Sequence, residues 1–171
     1  VCKDGYTPTV CPDGAGGAFV AWVALGGVRV LRLTDSLTIV PGWPDSAVAV
    51  STLQATALYV GICPDGSGGA FVAWQGTSSG PSEFRVQRIT ALGDLAAGWP
   101  GEGLVLSPYP TLPGSHRPHY WSFCAIVPDG QGGALLSWTD QRADTGDVYV
   151  TRVSSDGTIA PGWPRFGVGI G

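Results

Sequence analysis

The chain has no methionine, no asparagine and a single lysine, Lys3, among its 171 residues. All three residue types have AT-rich codons, so a GC-rich genome accounts for the gap. Depletion of thermolabile Asn and Met in a hot habitat is the second explanation. Charge is scarce as well: Asp, Glu, Lys and Arg make up 13% of the residues, and the net charge is −4. The nine basic residues are scattered, so no positive face awaits a phosphate backbone and nucleic acid is not an expected partner. A run of about 18 apolar residues is also missing, which leaves no membrane-spanning helix to expect. The chain starts at Val1, which suits a processed product or a fragment, and removal of a signal peptide would account for it.

Cysteine pairs are missing too. Cys2, Cys11, Cys63 and Cys124 are widely spaced, with no Cys-x-x-Cys. Zinc sites draw on local ligand pairs, and neither His116 nor His119 adjoins a cysteine, so neither a metal nor another cofactor is expected. Structural disulfides in an oxidising compartment are the expectation, ahead of free buried thiols, and the spacing leaves the connectivity open.

What the chain does have is 44% hydrophobic residues, 27 Gly and 14 Pro. That is too apolar for disorder and lacks the Gly-X-Y period of collagen, which leaves many short strands joined by Gly/Pro turns.

Those strands repeat. Residues 12–22 read PDGAGGAFVAW and residues 64–74 read PDGSGGAFVAW, differing at one position of eleven. Residues 128–138, PDGQGGALLSW, match both at seven of eleven. A second block follows each: VRVLRLTDSLTIVPGWP (28–44), FRVQRITALGDLAAGWP (84–100) and VYVTRVSSDGTIAPGWP (148–164). Arg32 to Trp43, Arg88 to Trp99 and Arg152 to Trp163 are each eleven residues apart, whereas the segments between blocks vary in length. Fixed strands joined by variable loops produce this pattern. It divides the chain into repeat units 1–50, 51–107 and 108–171 of one continuous repeat domain.

Each unit resolves into four expected strands. The first precedes the PDG turn, as in 58–63 and 121–127. The second is the apolar run ending in Trp, such as 70–74. The third surrounds the repeated Arg, such as 84–90, and the fourth follows the GWP turn at 47–50, 103–106 and 166–170. No segment carries a helical period with caps. The expected fold is all-β: three four-stranded antiparallel units of β-propeller-blade type, forming a propeller or part of one. Stacked β-sandwiches or a β-solenoid are the structural rivals.

The third unit, PDGQGGALLSWTDQRADTGDVYVTRVSSDG, resembles a blade repeat common in large secreted bacterial proteins, with DGxGGAxxxWxDxR followed by an Arg-Val and an Asp-Gly. The first two units depart from it, because no Asp-x-Arg follows Trp22 or Trp74 and the Asp140/Arg142 pair is private to unit three. The resemblance implies an extracellular β-propeller-like module at the cell surface or secreted, and it implies no particular activity.

Repeated residues read first as scaffold. Asp13, Asp65 and Asp129 share one turn position, where a short Asp bonds nearby amides, and a calcium loop is the lesser reading. The six recurring Trp read as packing between sheets, or as sugar platforms where exposed. Arg32, Arg88 and Arg152 read as partners of a carboxylate or of exposed carbonyls, with an anion site as the minor alternative. Asp140, Arg142, Asp144 and Asp147 read as a solvated hairpin cluster.

The long connection at 107–121, SPYPTLPGSHRPHYW, is not required by the repeat. It supplies the candidate binding residues Tyr109, His116, Arg117, His119, Tyr120 and Trp121. No nucleophile and base at a telling spacing accompany them, so no catalytic residue is assigned.

Three blades make an incomplete ring, since closed propellers generally use four to eight. The expected partner is therefore the chain itself, as a homo-oligomer or filament, or else the rest of a longer propeller. This favours a non-catalytic extracellular structural protein that self-associates. A propeller module binding glycans or a protein comes second, and a propeller-scaffold hydrolase third.

Overall fold

The computed structural model describes residues 5–52, 59–76, 83–107, 125–140 and 147–170. The architecture starts from the PDGxGG turn. Its first two glycines take positive φ in every copy, and the Asp amide closes the turn onto the last Gly carbonyl, as from Asp13 to Gly17 at 3.1 Å. That last glycine is needed for a different reason. A Cβ on Gly69 would lie 2.1 Å from the Ile89 carbonyl oxygen, so only glycine lets the second strand approach the third.

Blade 1 comprises β1 (Gly5–Pro12), β2 (Ala18–Ala24), β3 (Gly27–Leu33) and β4 (Val48–Ala49). Blade 2 comprises β5 (Tyr59–Pro64), β6 (Ala70–Gly76), β7 (Glu83–Ile89) and β8 (Leu104–Val105). Blade 3 comprises β9 (Ala125–Pro128), β10 (Ala134–Asp140), β11 (Asp147–Val153) and β12 (Val168–Gly169). Each blade is one antiparallel sheet with its strands in chain order. The register repeats: Phe19 faces Arg32, Phe71 faces Arg88 and Leu135 faces Arg152. Among the described residues there is no helix, and none long and apolar enough to cross a membrane. The chain is all-β, built of three blade-type units in an open arrangement.

The fourth strands are shorter than the four or five residues expected. Each pairs over two residues, because the GWP turn extends to the position just before them. There the amide of Ala47, Gly103 or Gly167 bonds back to the Pro carbonyl, and φ is positive. Of the first strands, β9 occupies only the end of the expected segment, and residues 121–124 lie outside the described residues.

The core consists of two layers, each between neighbouring blades. The first joins Phe19, Ala21, Val28 and Val30 of blade 1 to Ile62, Val72 and Trp74 of blade 2. The second joins Phe71, Ala73, Phe84 and Val86 of blade 2 to Ile126, Leu136 and Trp138 of blade 3. Phe84 stacks on Trp138 with ring centroids 5.1 Å apart. The blades thus pack face to face, and blade 2 is the filling between two others.

Candidate functional site

The feature that recurs at every blade is a clasp built from the repeated Asp and Arg. In blade 2, Asp65 Oδ1 accepts the amides of Ser67 at 2.7 Å and Gly69 at 2.9 Å, which shapes the turn. Its Oδ2 accepts Arg88 Nε at 2.9 Å and Nη2 at 2.7 Å. The remaining nitrogen, Arg88 Nη1, reaches into blade 3 and donates to the Ser155 carbonyl at 3.1 Å. Blade 1 repeats this with Asp13, Arg32 and the Gly68 carbonyl of blade 2, again at 3.1 Å. Both sequence readings of the Arg hold at once: it pairs with a carboxylate and caps a carbonyl. The guanidinium also occupies the side of the Asp that a calcium ion would need.

The indoles of the GWP turns make the parallel contact. Trp43 Nε1 donates to the Ala91 carbonyl of blade 2 at 2.9 Å, and Trp99 Nε1 donates to the Ser155 carbonyl of blade 3 at 3.0 Å. A third link lies at the first joint, where Glu102 of blade 2 accepts the hydroxyls of Ser51 and Thr52, each at 2.7 Å. Blade 3 carries the same donors, with no further blade beyond them among the described residues. Arg152 is held by Asp129 and Gln131 within its own blade, and Trp163 is half-buried with no acceptor among the described residues.

Burial of Asp13 opposes its ionisation. The Ala15 amide, the Arg32 guanidinium and the Gly17 amide outweigh that and hold the carboxyl below its ordinary value. Asp129 is lowered in the same way by Gln131, Gly133 and Arg152. A carboxyl depressed in the folded state adds stability that is complete above the unfolded pKa. That stability is lost as pH falls through the unfolded value toward the folded one. The thermal midpoint is therefore expected to hold level from neutral pH to about 5 and to drop below about 4. The double variant Asp13→Asn/Asp129→Asn should start lower and flatten that acid limb. A limb of unchanged steepness in thermal melts across this range would contradict the assignment.

The third component of the site is the pair of blade faces at the two ends. The second strands share one apolar pattern leading to Trp but differ in burial. β2 alternates with Phe19, Ala21 and Val23 buried and its other positions half-exposed. In β10 the phase is inverted, with Ala134, Leu136 and Trp138 buried. All seven residues of β6, between them, are buried. Position by position, Val10 is 65% exposed where Ile62 and Ile126 are 6% and 9%. At the other end Val148 is 42% exposed where Val28 and Phe84 are 0% and 2%. Blade 1 therefore presents an open apolar face on one side, and blade 3 presents one on the other.

Of the residues singled out in the sequence, Tyr109, His116, Arg117, His119, Tyr120 and Trp121 lie outside the described residues, as do Cys2, Cys124, Arg142 and Asp144. Asp140 and Asp147 face each other across the β10–β11 ladder. Trp43, Trp74, Trp99 and Trp138 are buried packing residues, which removes them as sugar platforms. Trp22 and Trp163, on the two end faces, are half-buried.

The disulfide expectation is corrected at two positions, since Cys11 and Cys63 are both free, buried thiols. They occupy equivalent places at the ends of β1 and β5, on the face that packs against the next blade, and serve as small apolar side chains. Burial, then the charge of Asp13, pushes the Cys11 thiol up to about 11. Burial, then Cys11, Asp65 and Asp129, pushes Cys63 up to about 12. Both stay protonated and unreactive at neutral pH.

The first strands line a groove of about 380 Å³, walled by Thr7, Pro8 and Thr9 of β1, residues 59–62 of β5, and Ala125 and Ile126 of β9. At Thr7, φ is 47° and the β1–β2 register slips, so β1 bulges at the groove wall. Among the described residues no group of three His, Cys, Asp or Glu is placed to hold a metal ion.

The three-blade count already implied unpaired apolar sheet faces, but not which face of which blade they would be. The available signal was that the end units are as apolar on both strand faces as the middle one. Terminal repeats that cap an array carry a polar outer face instead.

Face-to-face antiparallel blades, clasped by an Arg and an indole from each to the next, define a partial β-propeller. No family model matches the chain, and no match was found among the curated proteins.

Proposed function

We propose that this is a non-catalytic extracellular structural repeat protein whose work is to associate with itself. The observation that carries the reading is the open apolar face at each end, residue for residue the same kind of surface that is buried between the blades. Val10, Val127, Val148, Val168 and Ile170 are all 41–65% exposed on these two faces. Exposed apolar surface of this extent marks an interaction site in a folded protein. The extracellular placement rests on the resemblance of the blade repeat, because the free thiols of Cys11 and Cys63 add nothing to it. Light scattering of the purified chain is expected to give a mass above the 17.6 kDa of one copy, rising with concentration. A chain that stays at that mass at every concentration overturns the proposal.

A glycan- or small-ligand-binding module is the second reading, favoured by the groove between β1, β5 and β9, whose volume lies within the range of ligand pockets. A glycan array separates it from the first, because binding without association would reverse their order.

A further inference from the structure

We propose that the outer face of blade 3 docks on the outer face of blade 1 of a second copy, head to tail, and that two such joints close two copies into a six-bladed ring. This rests on the self-association reading above and adds the partner, the polarity and the number of copies.

The polarity follows from the repeat. Within the chain, each blade gives its Phe/Ala face, its Arg Nη1 and its GWP indole to the blade that follows. Each following blade receives these on the opposite face, which carries the second-strand Trp: the indole bonds the carbonyl of the turn after its third strand, Ala91 or Ser155, and the Arg bonds Gly68 in the PDG turn of blade 2 or Ser155 of blade 3. Blade 3 has the giving side still open, with Val148, Arg152 and Trp163 at the positions of Val28, Arg32 and Trp43. Blade 1 has the receiving side still open, with Val10 and Val20 at the positions of Ile62 and Val72. In this alignment the carbonyl awaiting the Trp163 indole is that of Asp35, equivalent to Ala91 and Ser155. A like-to-like contact between two blade 3 faces would leave Val10 bare and the Trp163 donor without its carbonyl.

The copy number follows from closure. Two copies make six blades, within the four to eight that propellers use, whereas three would make nine. A two-copy ring buries both open faces in two identical joints and leaves no edge to propagate. It would also wall in the groove now bounded on one side by β1, β5 and β9.

One residue sets this joint apart. Leu37, at φ 61°, stands where Gly93 and Gly157 lie beneath the preceding indole, and a Cβ on those glycines would come within 3.1–3.2 Å of that ring. Trp163 must therefore pack on a leucine side chain rather than on glycine, which makes the joint between copies weaker than the joints within one.

The test uses Val10→Asp and Val148→Asp, each placing a carboxylate on one open face of the full chain. Both valines are exposed in the single copy, so each variant should melt as the wild type does when monomeric. Head-to-tail docking predicts that the wild type has twice the mass of one copy and that either variant alone weakens association about 100-fold. Cross-linking an equimolar mixture should then yield a two-copy product containing one of each, because one joint in that pair is free of both carboxylates. A monomeric wild type overturns the self-association reading itself. An associating wild type that either variant leaves intact, or a mixture without the mixed product, overturns only the head-to-tail joint. A wild-type series running beyond two copies overturns ring closure.

Discussion

Trp74→Ala is expected to cost about 3–5 kcal/mol, a large share of the stability of a domain, whereas Trp22→Ala at the equivalent position should cost about half of that or less. The two residues end identical seven-residue runs, GGAFVAW, so propensity and local sequence cannot separate them. Burial does. Trp74 is 1% exposed, enclosed between blades 1 and 2, and its ring fills the space left by Gly103, where a Cβ would come within 2.7 Å. Removing it opens a cavity in a layer that both blades share. Trp22 lies on the open face of blade 1 and is half-exposed, so less area returns to water. Urea denaturation of both variants in dilute solution decides the matter, and equal losses would contradict the layered packing. At higher concentration the proposed association would cover that face, and the Trp22→Ala loss should grow with it.

Asp65→Ala is expected to cost about 3–5 kcal/mol, since it strips the partner from a desolvated guanidinium and two turn amides together. The Asp65 side chain is 1% exposed and that of Arg88 is 21% exposed. The pair therefore sits where water cannot fully replace what is lost. The damage should also spread, because Arg88 fixes the joint to blade 3 through the Ser155 carbonyl. Asp129→Ala should cost less, because Arg152 is 28% exposed and its clasp reaches no further blade. A double-mutant cycle with Arg88→Met separates the pair from the turn: the coupling energy reports the ion pair, and the residue of the loss belongs to the turn amides. A loss below about 1 kcal/mol for Asp65→Ala would place the pair among exposed salt bridges and undo the clasp as a structural element.

How much of this was legible in advance differs from element to element. The PDG turns, the three long strands of each blade and the recurrence of Arg and Trp were all readable, because turn residues and strand patterns act over a few neighbouring positions. Their roles were less so. Asp65 and Arg88 are separated by 23 residues, and only the β5–β6–β7 ladder brings them to 2.7 Å. The Arg was read as pairing with some carboxylate, but no local rule named the repeated Asp. Cys11 and Cys63 looked like disulfide halves because spacing carries no information about burial, and the structure uses them as buried methyl-sized packing. The candidate binding segment at 107–121 stays a sequence expectation.

The sequence by itself determined that there are three units, where each turn falls and which residues every unit repeats, since these depend on short-range geometry that near-identical segments must share. Only the tertiary structure decided which face of each blade is covered. β2 and β6 share AFVAW and β10 keeps an apolar run to the same Trp position, yet one is buried on one face, one on both and one on the opposite face. That difference is set by which neighbours a blade has. Neighbours also explain why the two end faces, written for burial, remain open for another blade.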